Sequence, residues 1–183
     1  MLITILNGND SSRDKGFDDY LRCLAKELDP VHQVDCIHLQ TMDIKDCMGC
    51  FGCWQKTPGK CLHRDDMELL YIKYVRSELV LFASPIIMGF PSALLKRSHD
   101  RLIPLVHPYV DIANNDFHHV ARYKRYPNMG LLLAKEVGTD QEDIQIITNI
   151  YKRIALSFNS TFVYSAVIDD KTPEVIAYEI GRC

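Results

Sequence analysis

Short, continuously apolar runs alternate with longer amphipathic stretches from one end of the chain to the other. Residues 2–6 read Leu-Ile-Thr-Ile-Leu, a strand-like run that stops at a loop rich in Gly, Asn, Asp and Ser. Phe17, Tyr20, Leu21, Leu24 and Leu28 then recur at helical spacing until Pro30 forbids continuation. Residues 33–39 form a second strand candidate. Further on, Asp65 with Glu68 reads as a capping box ahead of Met67, Leu70, Tyr71 and Tyr74 on one helical face. Residues 78–83 are too continuously apolar for a half-exposed strand. Residues 92–101 read as a helix that ends before Pro104. Residues 129–134 give a fourth strand. Thr139 with Glu142 reads as another capping box, ahead of Ile144, Ile147, Ile150, Tyr151, Ile154 and Phe158. Residues 161–168 give a fifth strand.

Strands alternating with helices predict βαβ units, hence an α/β fold whose parallel sheet is covered on both faces. Right-handed crossovers make a doubly wound, five-stranded sheet the natural closure. The runs at 2–6, 78–83 and 129–134 are the most apolar and are expected side by side at its centre. Ligands of such sheets bind beyond the carboxyl ends of the strands, which singles out the loops 7–16, 84–91 and 135–139. Two stretches break the alternation: a cysteine-rich excursion at 45–62, and residues 103–128, which lack periodicity and are expected to be a lid, a partner surface or simply irregular.

At 183 residues the chain has room for one domain, and it can bury about 70% of its unfolded surface without staples. Lys and Arg total 21 against 24 Asp and Glu, a formal charge of −3. That balance gives no case for a nucleic-acid or anionic-membrane binder. No apolar run approaches the roughly 20 residues of a membrane helix. The start of the chain reads as a strand and not as a signal peptide, so a cytoplasmic location is expected. In a reducing compartment, seven cysteines point to free thiols, metal binding or redox chemistry before disulfides.

The first loop joins a strand to a helix, whose unpaired N–H groups and positive dipole end can receive a phosphate. Asn9, Ser11 and Ser12 can add hydrogen bonds, and Arg13 or Lys15 charge. The loop is neither a Walker A loop nor Gly-x-Gly-x-x-Gly, so ATP and a Rossmann-bound dinucleotide lose support. It can equally be a polar turn with a cap. In the second loop, Pro85 and Pro91 stiffen the chain and Gly89 permits close backbone approach to a flat heterocycle, with Met88 and Phe90 as apolar contacts. A plain hydrophobic connector would look the same.

The sharpest local signal is Cys47-x2-Cys50-x2-Cys53-x7-Cys61. Thiolates at this spacing suit a 4Fe–4S cubane, each of whose irons takes one cysteine. They suit a single zinc less well, because zinc sites usually separate two cysteine pairs by a longer span. Gly49 and Gly52 relax the backbone as a wrap around a cluster requires. A compact structural loop under Trp54 remains the alternative, and in that case Cys53 and Cys61 are the pair expected to diverge. The histidines at 107, 118 and 119 match no ligand spacing and read as a solvated loop. Arg122, Lys124 and Arg125 read as an exposed basic face.

Cys47–Trp54, then Pro58-Gly59-Lys60-Cys61, then Asp65-Asp66-Met67 resemble the NADPH-dependent FMN reductase and iron–sulfur flavoprotein family. So do Ala83 to Gly89, Leu95-Lys96 and Asp100-Arg101. The resemblance implies a flavodoxin-like sheet of order 2-1-3-4-5, FMN at its carboxyl edge, and a homodimer or tetramer. It implies that Asn9, Ser11, Ser12, Arg13 and the amides up to Gly16 hold the FMN phosphate. Pro85, Ile86, Ile87, Met88 and Gly89 would border the ribityl chain and ring. Cys47, Cys50, Cys53 and Cys61 would be cluster ligands in members that carry one. The function implied is a flavin-dependent oxidoreductase, taking hydride from NAD(P)H and reducing a small acceptor. An FMN plus 4Fe–4S electron-transfer protein, or a flavin-free thiol or metal interaction module on the same fold, are the alternatives.

Overall fold

The computed structural model describes residues 1–10, 14–113 and 116–182. Five strands, β1 (Leu2–Asn7), β2 (Gln33–His38), β3 (Leu79–Ile87), β7 (Asn128–Ala134) and β8 (Phe162–Val167), form a parallel sheet in the order β2-β1-β3-β7-β8. This is the flavodoxin-like order, and β1, β3 and β7 sit at its centre. The reason lies in their composition. Val80 and Phe82 face one layer of helices while Leu79, Leu81 and Ala83 face the other, so only a strand covered on both sides can bury them.

On one face lie α1 (Lys15–Leu28), with Phe17, Leu21, Leu24 and Leu28 inward, and α6 (Pro173–Ile180), with Ile176 and Ile180 inward. On the other lie α3 (Met67–Arg76), α4 (Ala93–Asp100) and α5 (Gln141–Ser157). A short helix, α2 (Gly52–Gln55), stands within the cysteine excursion.

Several expectations change in detail. Residues 103–128 are not irregular: β5 (Val106–Ala113) and β6 (Asp116–Ala121) pair as an antiparallel ribbon of their own. Its strands alternate too weakly in polarity to be seen, because Tyr109, Val110, Ile112 and Phe117 are exposed. The Asp65–Glu68 capping box does not form. Helix α3 starts at Met67, and Asp65 is drawn instead into an ion pair with Arg101. The box predicted at Thr139 and Glu142 stands one residue on, at Asp140 and Asp143, while Thr139 Oγ1 accepts from the Glu136 N–H. The basic stretch is partly structural, since Arg122 donates to the carbonyls of Pro104 and Val106. β3 also runs on past Ala83 and folds back through β4 (Phe90–Pro91).

Candidate functional site: a sheet edge and a cysteine cavity

The carboxyl ends of β1, β3 and β7 bring the three candidate loops together. Gly8 N–H donates to the Ala83 carbonyl at 2.8 Å, and Ser92 Oγ donates to the Gly8 carbonyl at 2.5 Å. Ser92 also caps α4 by accepting from Leu95 N–H, and its own N–H reaches Ser84 Oγ at 2.8 Å. Loops one and two are therefore fixed to the same helix start. Gly89 N–H donates to Glu136 Oε1 at 2.8 Å, which fixes loop two to loop three.

Within loop two, Ile87 pairs with Phe90 across the two residues Met88 and Gly89, both at positive φ, +52° and +72°. That is the backbone of a type I′ hairpin turn. Gly89 meets its requirement at no cost, whereas Met88 carries strain and is 93% exposed. Val137, in loop three, is also fully exposed. Pro85 to Gly89 thus offer an edge of backbone with two unpacked apolar side chains beside it.

Loop one is more polar. Asn9 is buried, and its Nδ2 donates to the Asp14 carbonyl and to Asp18 Oδ1, while its Oδ1 has no partner among the described residues. Asp18 also accepts from Asn7 Nδ2 at 2.7 Å. Asp14 caps α1 by accepting from Phe17 N–H, with Gly16 between them. Ser11, Ser12 and Arg13, expected to carry the phosphate contacts, lie outside the described residues.

The second feature is a cavity of about 380 Å³, within the range of small-ligand sites. All four cysteines of the array border it, together with Trp54, His63, His99, Arg101 and Phe158. The wrap comes from two left-handed residues, Gly49 at φ +63° and Phe51 at φ +54°. Gly52, expected to share that task, instead begins α2 and is packed against Leu62. Trp54 fixes the excursion to the ribbon by donating its Nε1–H to the carbonyls of Ile103 and Val106.

Burial pushes the Cys53 thiol up, and the nearness of Cys61, Cys47 and Cys50 pushes it further. All four are free thiols, and Cys53 and Cys61 do not diverge. Among the described residues no three of His, Cys, Asp and Glu stand close enough to hold a single metal ion.

His99 and Arg101 were not singled out from the sequence for this cavity. His99 sits against Phe82, Tyr151 and Phe158, and burial lowers its pKa to about 4. Its Nε2, like that of His63 and like Arg101 Nε, is buried without a partner among the described residues. Arg101 entered only within the Asp100-Arg101 pair that carries the family resemblance, which gave it no place in a cavity, and His99 carried no signal.

The sequence profile of the NADPH-dependent FMN reductase family matches residues 1–120, and the chain belongs to that family. An iron–sulfur flavoprotein of Archaeoglobus fulgidus is 28% identical over 102 residues, 55% of this chain and 48% of the relative. A second from the same organism is 35% identical over 75 residues, 41% of this chain and 33% of the relative. The chain thus spans about half the length, or less, of these curated relatives. Among solved structures, an NAD(P)H:quinone oxidoreductase from Methanothermobacter marburgensis superposes with a TM-score of 0.66 at 15% identity, covering 100% of this chain and 96% of the other. A flavone reductase superposes with a TM-score of 0.65 at 16% identity, covering 100% and 61%. At such identities these two structures establish the shared fold.

Proposed function

We propose that the chain is a flavin-dependent oxidoreductase that binds FMN at the carboxyl edge of its sheet, uses NAD(P)H as donor and reduces a small acceptor. The observation that carries this reading, beside membership of the family, is the joining of loops one, two and three at one sheet edge. The described residues suit the organic part of FMN. Asn9 Oδ1, buried and unpaired among the described residues, is an acceptor for a ribityl hydroxyl. The Pro85–Gly89 edge, with Met88 and Val137 unpacked beside it, offers backbone and apolar contact to a ring.

The flavin would supply the hydride-accepting and electron-passing chemistry. The chain's own residues bind and orient. Glu136 holds the Gly89 amide and so sets the turn that would border the ring. The α1 N-terminus offers N–H groups to the phosphate, in competition with the Asp14 carboxylate that caps it. The exposed Tyr109, Val110, Ile112 and Phe117 of the ribbon support a homodimer or tetramer, which light scattering at micromolar concentration would report. Titrating the apoprotein with FMN should quench flavin fluorescence with saturation near one FMN per chain. NADPH should then bleach the bound flavin without air. Absence of saturable quenching would overturn the reading.

A second reading adds a 4Fe–4S cluster on Cys47, Cys50, Cys53 and Cys61, making the chain an electron-transfer flavoprotein. What favours it is that all four thiols border one cavity and are each close enough to Cys53 to perturb it. Anaerobic protein should carry about four irons and as much acid-labile sulfide per chain, and Cys50→Ala should abolish both. Iron-free anaerobic protein would remove this reading and leave the flavin reading standing.

A further inference from the structure

Arg101 is the largest fully buried side chain among the described residues. It stands just after α4, at the C-cap. Its Nη1 donates to the Lys45 carbonyl at 2.6 Å and to Asp65 Oδ2 at 2.8 Å, and its Nη2 donates to Asp65 Oδ1 at 3.0 Å. Asp65 Oδ2 also accepts from the Lys45 N–H at 3.0 Å. One buried ion pair thus fastens residue 45, just before Cys47, to residue 65, just after Cys61. An exposed pair, Arg97 with Asp46, reinforces the same end.

Arg101 also borders the cavity with the four cysteines, and of its lining side chains Arg101 alone is permanently positive. Asp100, the one carboxylate there, is held by Lys96 at 2.5 and 2.6 Å. Burial opposes the guanidinium charge, but the hydrogen-bonded Asp65 carboxylate more than restores it. Arg101 and Cys61 border the same cavity.

We propose that Arg101 is a positioning residue for the cysteine array: paired with Asp65 it closes the two ends of the cysteine loop, and it sets a fixed positive charge beside an anionic iron–sulfur cluster. The inference rests on the reading that the array holds a 4Fe–4S cluster. Such a core on four thiolates is a dianion when oxidised and a trianion when it has gained one electron. A fixed cation stabilises the trianion more, so it raises the midpoint potential as well as the affinity for the cluster.

The test uses the full chain, reconstituted anaerobically with iron and sulfide. The readouts are iron and sulfide per chain, retention against a chelator, and the midpoint from a titration followed by electron paramagnetic resonance. Arg101→Gln combined with Asp65→Asn replaces the ion pair by two neutral amides, so no lone buried charge remains. With an unchanged far-ultraviolet circular dichroism spectrum, this variant should hold iron about tenfold less tightly or worse, and whatever cluster it holds should titrate at a lower potential. Arg101→Lys, which keeps the charge, should retain iron. Wild-type retention and midpoint in the double variant would overturn the proposal, as would Arg101→Lys losing iron as fully as the double variant. Should the double variant not fold, Arg101→Met combined with Asp65→Leu removes the same charge while packing the site with an apolar pair of similar volume. A lowered midpoint supports the proposal, and an unchanged or raised one overturns it. Wild-type protein that takes up no iron would instead sink the cluster reading, and the proposal with it.

Discussion

Replacing Asp65 by Asn tests whether the buried ion pair governs the stability of the whole chain. The carboxylate accepts from Arg101 at 2.8 and 3.0 Å, from Lys45 N–H at 3.0 Å and from Met67 N–H at 3.2 Å. Asn keeps one acceptor oxygen and leaves the guanidinium with the Lys45 carbonyl and no counter-charge. Both side chains are almost fully buried, at 1% and 0% exposure, so solvent cannot compensate. Breaking such a pair from one side costs about 3–5 kcal/mol, against a total stability of about 5–15 kcal/mol. With a urea slope of about 2 kcal/mol/M the midpoint should fall by roughly 1.5–2.5 M. Burial alone would raise the Asp65 pKa, but hydrogen bonds from Arg101 and the Lys45 amide outweigh it and hold the carboxyl below its ordinary value. A carboxyl lowered in the fold stabilises above its unfolded pKa, about 3.9. That contribution is lost as pH falls through the folded value. The wild type and Asp65→Asn should therefore differ fully at pH 7 and converge below about pH 4. A gap under about 1 kcal/mol at pH 7, the size of a surface pair, would refute the argument. So would a gap that does not narrow on acidification.

Gly8→Ala places a Cβ 2.7 Å from Leu95 Cβ and 2.9 Å from Ser92 Oγ. Neither can retreat without moving α4, so urea unfolding should show a loss of about 1–3 kcal/mol. Met88→Gly relieves a left-handed residue and should leave stability unchanged or raise it by up to about 1 kcal/mol, while weakening FMN binding in the fluorescence titration. His99, with Asp100 and Lys96 as its charged neighbours, is lowered to about 4 by burial, so between pH 6.5 and 4 the unfolded chain binds its proton first. Wild-type stability should fall by about 3 kcal/mol across that window as pH drops, and His99→Gln should flatten the fall in denaturation curves taken at each pH.

The parallel sheet was legible because its signal is local. Residues 79–83 are apolar at every position, and only a strand covered on both faces tolerates that. The ribbon at 106–121 was not, because its apolar side chains alternate out to solvent on a two-stranded element with no core of its own. The capping box at Asp65 erred for a tertiary reason, while the other slipped by one residue to Asp140 and Asp143. Asp65 has the local chemistry of a cap, yet a guanidinium 36 residues away in sequence is a stronger partner than a backbone amide. In the site, the cysteines announced themselves by spacing. His99 did not, and Arg101 entered only through the Asp100-Arg101 resemblance, because what distinguishes both is burial at one end of a helix, which spacing does not encode.

Helix α4 explains why the two halves of the site, distant in sequence, belong to one device. Its N-terminal cap, Ser92, holds loop one through the Gly8 carbonyl and the end of β3 through Ser84. Its C-cap, Arg101, holds both ends of the cysteine loop. Eight helical residues separate them, roughly 12 Å at the rise of an α-helix. Leu95, fully buried between the two ends, keeps the helix from sliding against the sheet. A rigid rod clamped at both ends fixes the separation of whatever the two ends hold. For a protein proposed to pass electrons between a sheet-edge flavin and a thiolate array, that separation is the quantity the fold must hold constant, and the side chains that hold it touch neither the flavin edge nor the cysteines by covalent bond.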